Sequence, residues 1–122
     1  MTNTLFFDTY AFFELLDGNP AYARYVDAEI VTTKVNLFEL YYGVLQQGGE
    51  HLAKGEIDKY MPFVIDFDSE IIELAAKFKY TQRQRKLSMV DCIGYITAQH
   101  LGVKFLTGDR QFEGMPGVEF AK

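Results

Sequence analysis

Leu5-Phe6-Phe7 is a short apolar run that stops at Asp8, after which Thr9-Tyr10-Ala11-Phe12-Phe13-Glu14-Leu15-Leu16 carries apolar residues at helical rather than alternating spacing. The pattern predicts strand, turn and helix, ended by the breaker sequence Asp17-Gly18-Asn19-Pro20. A short second helix through Tyr25 follows, and Glu29-Ile30-Val31-Thr32-Thr33 reads as a β-branched second strand. Lys34 to Gln47 has helical spacing with Gly48-Gly49 as its stop, and Glu50 to Lys59 reads as a further helix interrupted by Gly55. Phe63-Val64-Ile65 is the third expected strand. Asp68 or Ser69 can cap a helix that runs to about Arg85. Ser88 opens one more helix, closed by Gly102, before a fourth strand at Val103-Lys104-Phe105-Leu106 and a short final one at Val118-Glu119-Phe120.

Strands alternating with helices imply an α/β fold: a mostly parallel sheet of four to five strands with helices on both faces, because parallel strands need crossover connections. Ligands in such sheets bind outside the carboxyl ends of the strands. Asp8 and Asp109 both fall just past the end of an expected strand.

Composition narrows the class. The 122 residues are 48% hydrophobic and 24% charged, which suits a single domain over 1–122 able to bury a core without disulfides or structural metal. One cysteine, Cys92, excludes an intrachain bridge. The lone thiol, and an N-terminus without a basic leader, point to a reducing compartment, the cytoplasm. No apolar run approaches the roughly 20 residues of a membrane span. The two histidines, His51 and His100, lack partners at zinc-ligand spacing, and the usual phosphate-loop, dinucleotide and serine-hydrolase motifs are missing. A net charge of -5 opposes bulk attraction to nucleic acid, so any such partner must meet a local basic patch.

Carboxylates remain, and four sit at informative places. Asp8 and Asp109 follow strands, where an aspartate also serves as an ordinary helix cap. Ser88-Met89-Val90-Asp91 fits a capping box. Glu39 lies in a helix whose apolar residues spread over more than half of its circumference at about 100° per residue. The remaining polar stripe holds Asn36, Glu39, Gly43 and Gln46, which describes either a solvated face or a carboxylate aimed into a cleft. Carboxylates gathered without a cation repel one another, so a fold that collects them commonly holds divalent metal. Mg²⁺ in such a site can activate water toward a phosphodiester.

Four segments in order, Asp8-Thr9, Asn36-Leu37-Phe38-Glu39-Leu40 with Tyr42-Gly43, Ser88-Met89-Val90-Asp91-Cys92-Ile93, and Phe105-Leu106-Thr107-Gly108-Asp109-Arg110-Gln111-Phe112, together resemble the PIN domain family. The likeness spans nearly the whole chain and is strongest to the small single-domain VapC-type toxins of prokaryotic toxin-antitoxin pairs. The resemblance implies a PIN-like fold and a ribonuclease dependent on Mg²⁺ or Mn²⁺. It places Asp8, Glu39, Asp91 and Asp109 as the acidic, metal-holding set and Thr107 as a supporting hydroxyl. It also implies a homodimer and a small antitoxin whose segment occupies the groove near the acids. Tyr10 stands where the family often has a small polar residue, and Glu113 is left outside the site.

Five of the 12 basic residues fall between Lys77 and Lys86. Cations at a helix C-terminus complement its dipole. The run also leads directly to Asp91, so Lys79, Arg83, Arg85 and Lys86 are candidate phosphate contacts for an RNA substrate. Aromatic content of 16% exceeds what one small core comfortably holds and leaves rings for a partner surface. Two other readings stand beside the nuclease. One is a receiver-type phosphoacceptor domain, which lacks its acidic pair after the first strand and its late basic residue. The other is a PIN fold that binds a partner without catalysis.

Overall fold

The computed structural model describes residues 4–122; Met1 to Asn3 of the expected domain lie outside the described residues. The elements are β1 (Thr4–Phe7), α1 (Thr9–Leu16), β2 (Glu29–Val31), α2 (Lys34–Tyr60), α3 (Ser69–Thr81), α4 (Met89–Leu101), β3 (Lys104–Thr107) and β4 (Val118–Phe120). The strands form one parallel sheet in the order β2-β1-β3-β4, as the alternation of strands and helices predicts. Phe6 of β1 faces Val31 of β2 on one side and Phe105 of β3 on the other.

Side chains alternate across a strand, so a sheet covered on both faces needs consecutive apolar residues. Leu5 and Phe7 enter one core with Phe12, Tyr22, Leu37, Leu40 and Leu106, beneath α1 and α2. Phe6 points the opposite way, into a second core with Ile71, Ile93, Tyr95 and Phe105, beneath α3 and α4. The unbroken Leu5-Phe6-Phe7 run thus supplies both faces of a central strand.

Several expectations change in detail. The short second helix is a 3-10 turn over Pro20–Tyr25. The break expected at Gly48-Gly49 is present: within Lys34–Tyr60, labelled α2 as a whole, Gly49 takes the non-helical φ 85 and ψ 177 and divides it into the two expected helices. Phe63-Val64-Ile65 is not a strand: Met61–Phe63 close a 3-10 turn, which leaves Val64 to make a single parallel bridge to Thr32. The helix expected to reach Arg85 stops at Thr81, and Arg83 to Lys86 lie in the loop beyond it. On α2, Phe38 and Tyr42 are exposed at 71% and 55%, whereas Asn36 from the polar stripe is fully buried.

Two contacts set how the first two helices meet. A Cβ at Gly43 would strike the Phe13 ring, so glycine lets α1 press closely on α2. One turn earlier on α2, Glu39 then reaches the first residue of α1, accepting a 2.7 Å hydrogen bond from the Thr9 hydroxyl.

Candidate active site

All strands point the same way, so the residues that follow them emerge on one edge of the sheet. Asp8 leaves β1 as the N-cap of α1, with Oδ1 accepting the Thr9 backbone N–H at 2.8 Å. Its Oδ2 accepts the Thr107 hydroxyl at 2.6 Å, from the last residue of β3. Thr107 Oγ1 in turn accepts the Asp109 backbone N–H at 3.1 Å. One threonine thereby ties the acid after β1 to the turn after β3. Gly108 lies between them because a Cβ there would strike the Ala121 carbonyl and the Tyr10 ring. Tyr10, the departure from the family pattern, therefore covers the turn that carries Asp109.

The other acids have double attachments. Asp91 closes the expected capping box, accepting from Ser88 N at 2.9 Å while Ser88 Oγ accepts from Asp91 N at 3.0 Å. Asp109 caps a 3-10 turn over Arg110–Phe112, with Oδ1 accepting from Gln111 N at 2.9 Å. The capping readings of Asp8, Asp91 and Asp109 are thus all realised. Caps do not exhaust these groups, because their charges also act on one another.

Burial pushes Asp8 up to about 8, the Asp91 and Glu39 charges add to the rise, and the Thr107 and Thr9 hydrogen bonds oppose it. Burial likewise raises Glu39, with the Thr9 bond opposing and Asp91 adding. Burial raises Asp91 as well; its bonds to Ser88 oppose, Asp109 adds, and Lys79 opposes. Asp8, Glu39 and Asp91 therefore share one electrostatic neighbourhood, which Asp109 joins through Asp91. The ion pairs among the described residues, Lys54–Asp58 at 2.7 Å and Arg110–Glu113 at 3.7 Å, leave these acids without a contacting cation. Glu113 pairs with Arg110 at the surface.

A divalent cation suits this donor chemistry. The groups are oxygen donors, partly or wholly withdrawn from water, that no cation among the described residues contacts, and a hard ion that keeps some of its waters needs only a few such oxygens. No three His, Cys, Asp or Glu side chains among the described residues converge as a ready ligand set. The fit is thus one of charge and donor type rather than of a preformed cage.

The basic run is partly tied to the same neighbourhood. Lys79 Nζ donates to the Leu87 carbonyl at 2.6 Å, just before the α4 cap. Arg85 donates to Gln82 Oε1 at 2.9 Å and to the Gln111 carbonyl at 2.5 Å, linking the α3–α4 loop to the Asp109 turn. Arg83 lies over the Tyr80 ring at 4.6 Å, and Lys86 is exposed.

Two polar residues reach the site without a role assigned from sequence. Thr9 bridges Asp8 and Glu39, and fully buried Asn36 donates to Thr9 Oγ1 at 3.2 Å. The available signal was their position, one residue after Asp8 and one helical turn before Glu39.

A parallel α/β sheet with interacting acids outside its carboxyl ends defines the class of protein. The chain belongs to the PIN domain family, whose family model matches residues 5–118. Among solved structures, it is similar to VapC20 of Mycobacterium tuberculosis, described as a sarcin-ricin loop cleaving toxin, at 19% identity and TM-score 0.74, covering 97% of this chain and 99% of that one. It is similar to VapBC2 of Rickettsia felis bound to a promoter DNA fragment, at 15% identity and TM-score 0.74, covering 98% and 99%. A toxin-antitoxin complex from Klebsiella pneumoniae matches at 21% identity and TM-score 0.73, covering 94% and 95%. At these identities the likeness speaks for the fold. No curated protein matches the sequence. Family membership removes the basis for the receiver-type reading.

Proposed function

We propose that this PIN-domain protein is a metal-dependent endoribonuclease that hydrolyses RNA phosphodiesters as the toxin of a toxin-antitoxin pair. The observation that carries the reading is Asp8: a carboxyl group buried at the sheet's carboxyl edge, subject to the charges of Asp91 and Glu39 and without a contacting cation. Such an arrangement opposes folding unless it serves something that brings positive charge.

In this reading Asp8, Glu39, Asp91 and Asp109 hold Mg²⁺ or Mn²⁺. The ion, when bound, supplies Lewis acidity toward the phosphate and favours deprotonation of the attacking water. The chain's own residues do the positioning. Thr107 fixes one Asp8 oxygen and the Thr9 backbone fixes the other. The Thr9 hydroxyl holds Glu39, and the two caps fix the backbones that carry Asp91 and Asp109. Lys79, Arg83, Arg85 and Lys86 offer cations beside the acids for the RNA backbone, offsetting the overall negative charge.

A small antitoxin and a second copy of the chain are the proposed protein partners. VapBC assemblies among the structural neighbours support the first. Exposed Phe38, Tyr42, Leu45, Met61 and Phe63 supply apolar surface for both. No helix among the described residues is long and apolar enough to cross a membrane, and we place the activity in the cytoplasm, where its RNA substrate resides.

Incubation of the protein with mixed RNA in Mg²⁺, Mn²⁺ or EDTA, alongside Asp8→Asn, tests the reading. Cleavage should require the ion and vanish in the variant. Cleavage that survives complete chelation would overturn the metal requirement. A folded protein inert under every condition would favour a binding module without catalysis.

A further inference from the structure

The hydrogen bonds around Asn36 run in one direction. Thr33 caps α2, and its Oγ1 accepts the Asn36 backbone N–H at 3.3 Å. Its own proton is free to be donated, and it goes to Asn36 Oδ1 at 2.6 Å. The Asn36 amide nitrogen is thereby turned the other way, donating to Thr9 Oγ1 at 3.2 Å. With that oxygen already accepting, the single Thr9 proton goes to Glu39 Oε1 at 2.7 Å. Thr33 and Asn36 are both fully buried, and no buried side-chain nitrogen or oxygen among the described residues lacks a partner.

A buried asparagine is costly unless its polar atoms are paired. A first-turn helical position does not itself require one, since the Thr33 cap already serves the backbone. Asn36 instead joins the N-terminus of α2 to that of α1, at the residue whose backbone is held by Asp8. We propose that Asn36 is a positioning residue that fixes the direction of the Thr9 hydroxyl and, through it, the place of the Glu39 carboxylate beside Asp8. The inference rests on the nuclease reading for its catalytic consequence. The relay is a property of the metal-free protein and is measurable without that reading.

An asparagine works here because it has both a donor and an acceptor. Asn36→Asp keeps the shape and the acceptor toward Thr33 but removes the donor toward Thr9. The Thr9 hydroxyl then turns to the new carboxylate and leaves Glu39. Thr33→Val frees the Asn36 amide to turn without adding charge. Thr9→Val removes the relay's last member, and Thr9→Ser keeps it.

The test is the carboxyl ¹³C resonance of Glu39 in the metal-free proteins, followed by RNA-cleavage kinetics with Mg²⁺. Asn36→Asp and Thr33→Val should each move the Glu39 resonance in the direction of Thr9→Val, while Thr9→Ser leaves it in place. The kcat should fall about tenfold in Asn36→Asp with KM within about twofold, the mark of a group acting on the reacting geometry rather than on binding. Thr9→Val combined with Asn36→Asp should cost no more than Thr9→Val alone, because both changes break one relay. A Glu39 resonance unmoved in Thr33→Val and Asn36→Asp, or effects that simply add, would overturn the proposal. If Asn36→Asp fails to fold, Thr33→Val decides the same point. If the wild type cleaves no RNA, the nuclease reading fails while the resonance still decides the relay.

Discussion

Thr107 and Asp8, separated by 99 positions in sequence, share a 2.6 Å hydrogen bond across the β1–β3 pairing. The threonine oxygen accepts from the Asp109 N–H, so its one proton is committed to Asp8. Thr107→Val keeps the volume and removes both bonds. It should lower stability by about 1–3 kcal/mol, the cost of leaving buried polar groups unpaired, in urea denaturation with EDTA. An unchanged midpoint would mean that other contacts hold Asp8.

Asp8 titrates near 8 in the folded protein against about 4 in an unfolded chain. A raised acid binds more protons folded than unfolded between those values, so its contribution to stability is full below about pH 4 and is lost as pH rises toward 8. Metal-free protein should therefore weaken between pH 5 and 8, by no more than about 1.4 kcal/mol per pH unit from this group. Asp8→Asn should flatten that decline. Denaturation across a pH series in EDTA gives the comparison, and equal slopes for both proteins would contradict it.

Metal should separate site from cap. Asp109→Ala removes the acceptor for the Gln111 N–H and should cost about 0.5–2 kcal/mol in EDTA. Asp8→Asn removes the charge but keeps only one of the two oxygens that accept from the Thr9 N–H and the Thr107 hydroxyl. In EDTA at low pH it should cost about 1–3 kcal/mol, a deficit that shrinks as pH rises toward 8 and the wild type gains its buried charge. Added Mg²⁺ should stabilise the wild type more than either variant, since a ligand that binds only the folded state raises stability with its affinity. Equal responses to Mg²⁺ in all three would remove these acids from the metal site.

The visible and hidden parts of the site differ in range. Asp8, Asp91 and Asp109 follow local signals: a strand that ends at an acid, and a serine three residues before another. Both are written within a few neighbouring positions. Asn36 was not legible because a helical wheel sorts residues by face and says nothing of which face another helix covers. Thr9 approaches α2 at the start of that stripe and helps bury Asn36, while Glu39 is half-buried and Gln46 stays exposed. Phe63-Val64-Ile65 has strand composition, yet the 3-10 turn ahead of it removes all but one pairing position. The end of α3 was equally obscure: Gln82 to Lys86 are compatible with a helix, and Lys79 and Arg85 anchor them as a loop.

Those anchors bear on RNA binding. Arg85 is spent partly on the Gln111 carbonyl, whereas Arg83 and Lys86 present exposed charge. Arg83→Ala with Arg85→Ala should weaken RNA binding and reduce its salt dependence by a slope of about one for each lost phosphate contact. Binding isotherms over a salt series measure this. An unchanged slope would leave the cations as loop anchors and helix-end charges.

The position of β1 between β2 and β3 also gives the site an order of assembly. In chain order β1 and β2 precede β3, which comes from residues 104–107. A nascent chain that has reached Leu101 already holds Asp8, Glu39 and Asp91, but neither the hydroxyl that grips Asp8 nor Asp109. The segment that follows α4 therefore closes the acidic edge, which stays incomplete until β3 docks beside β1.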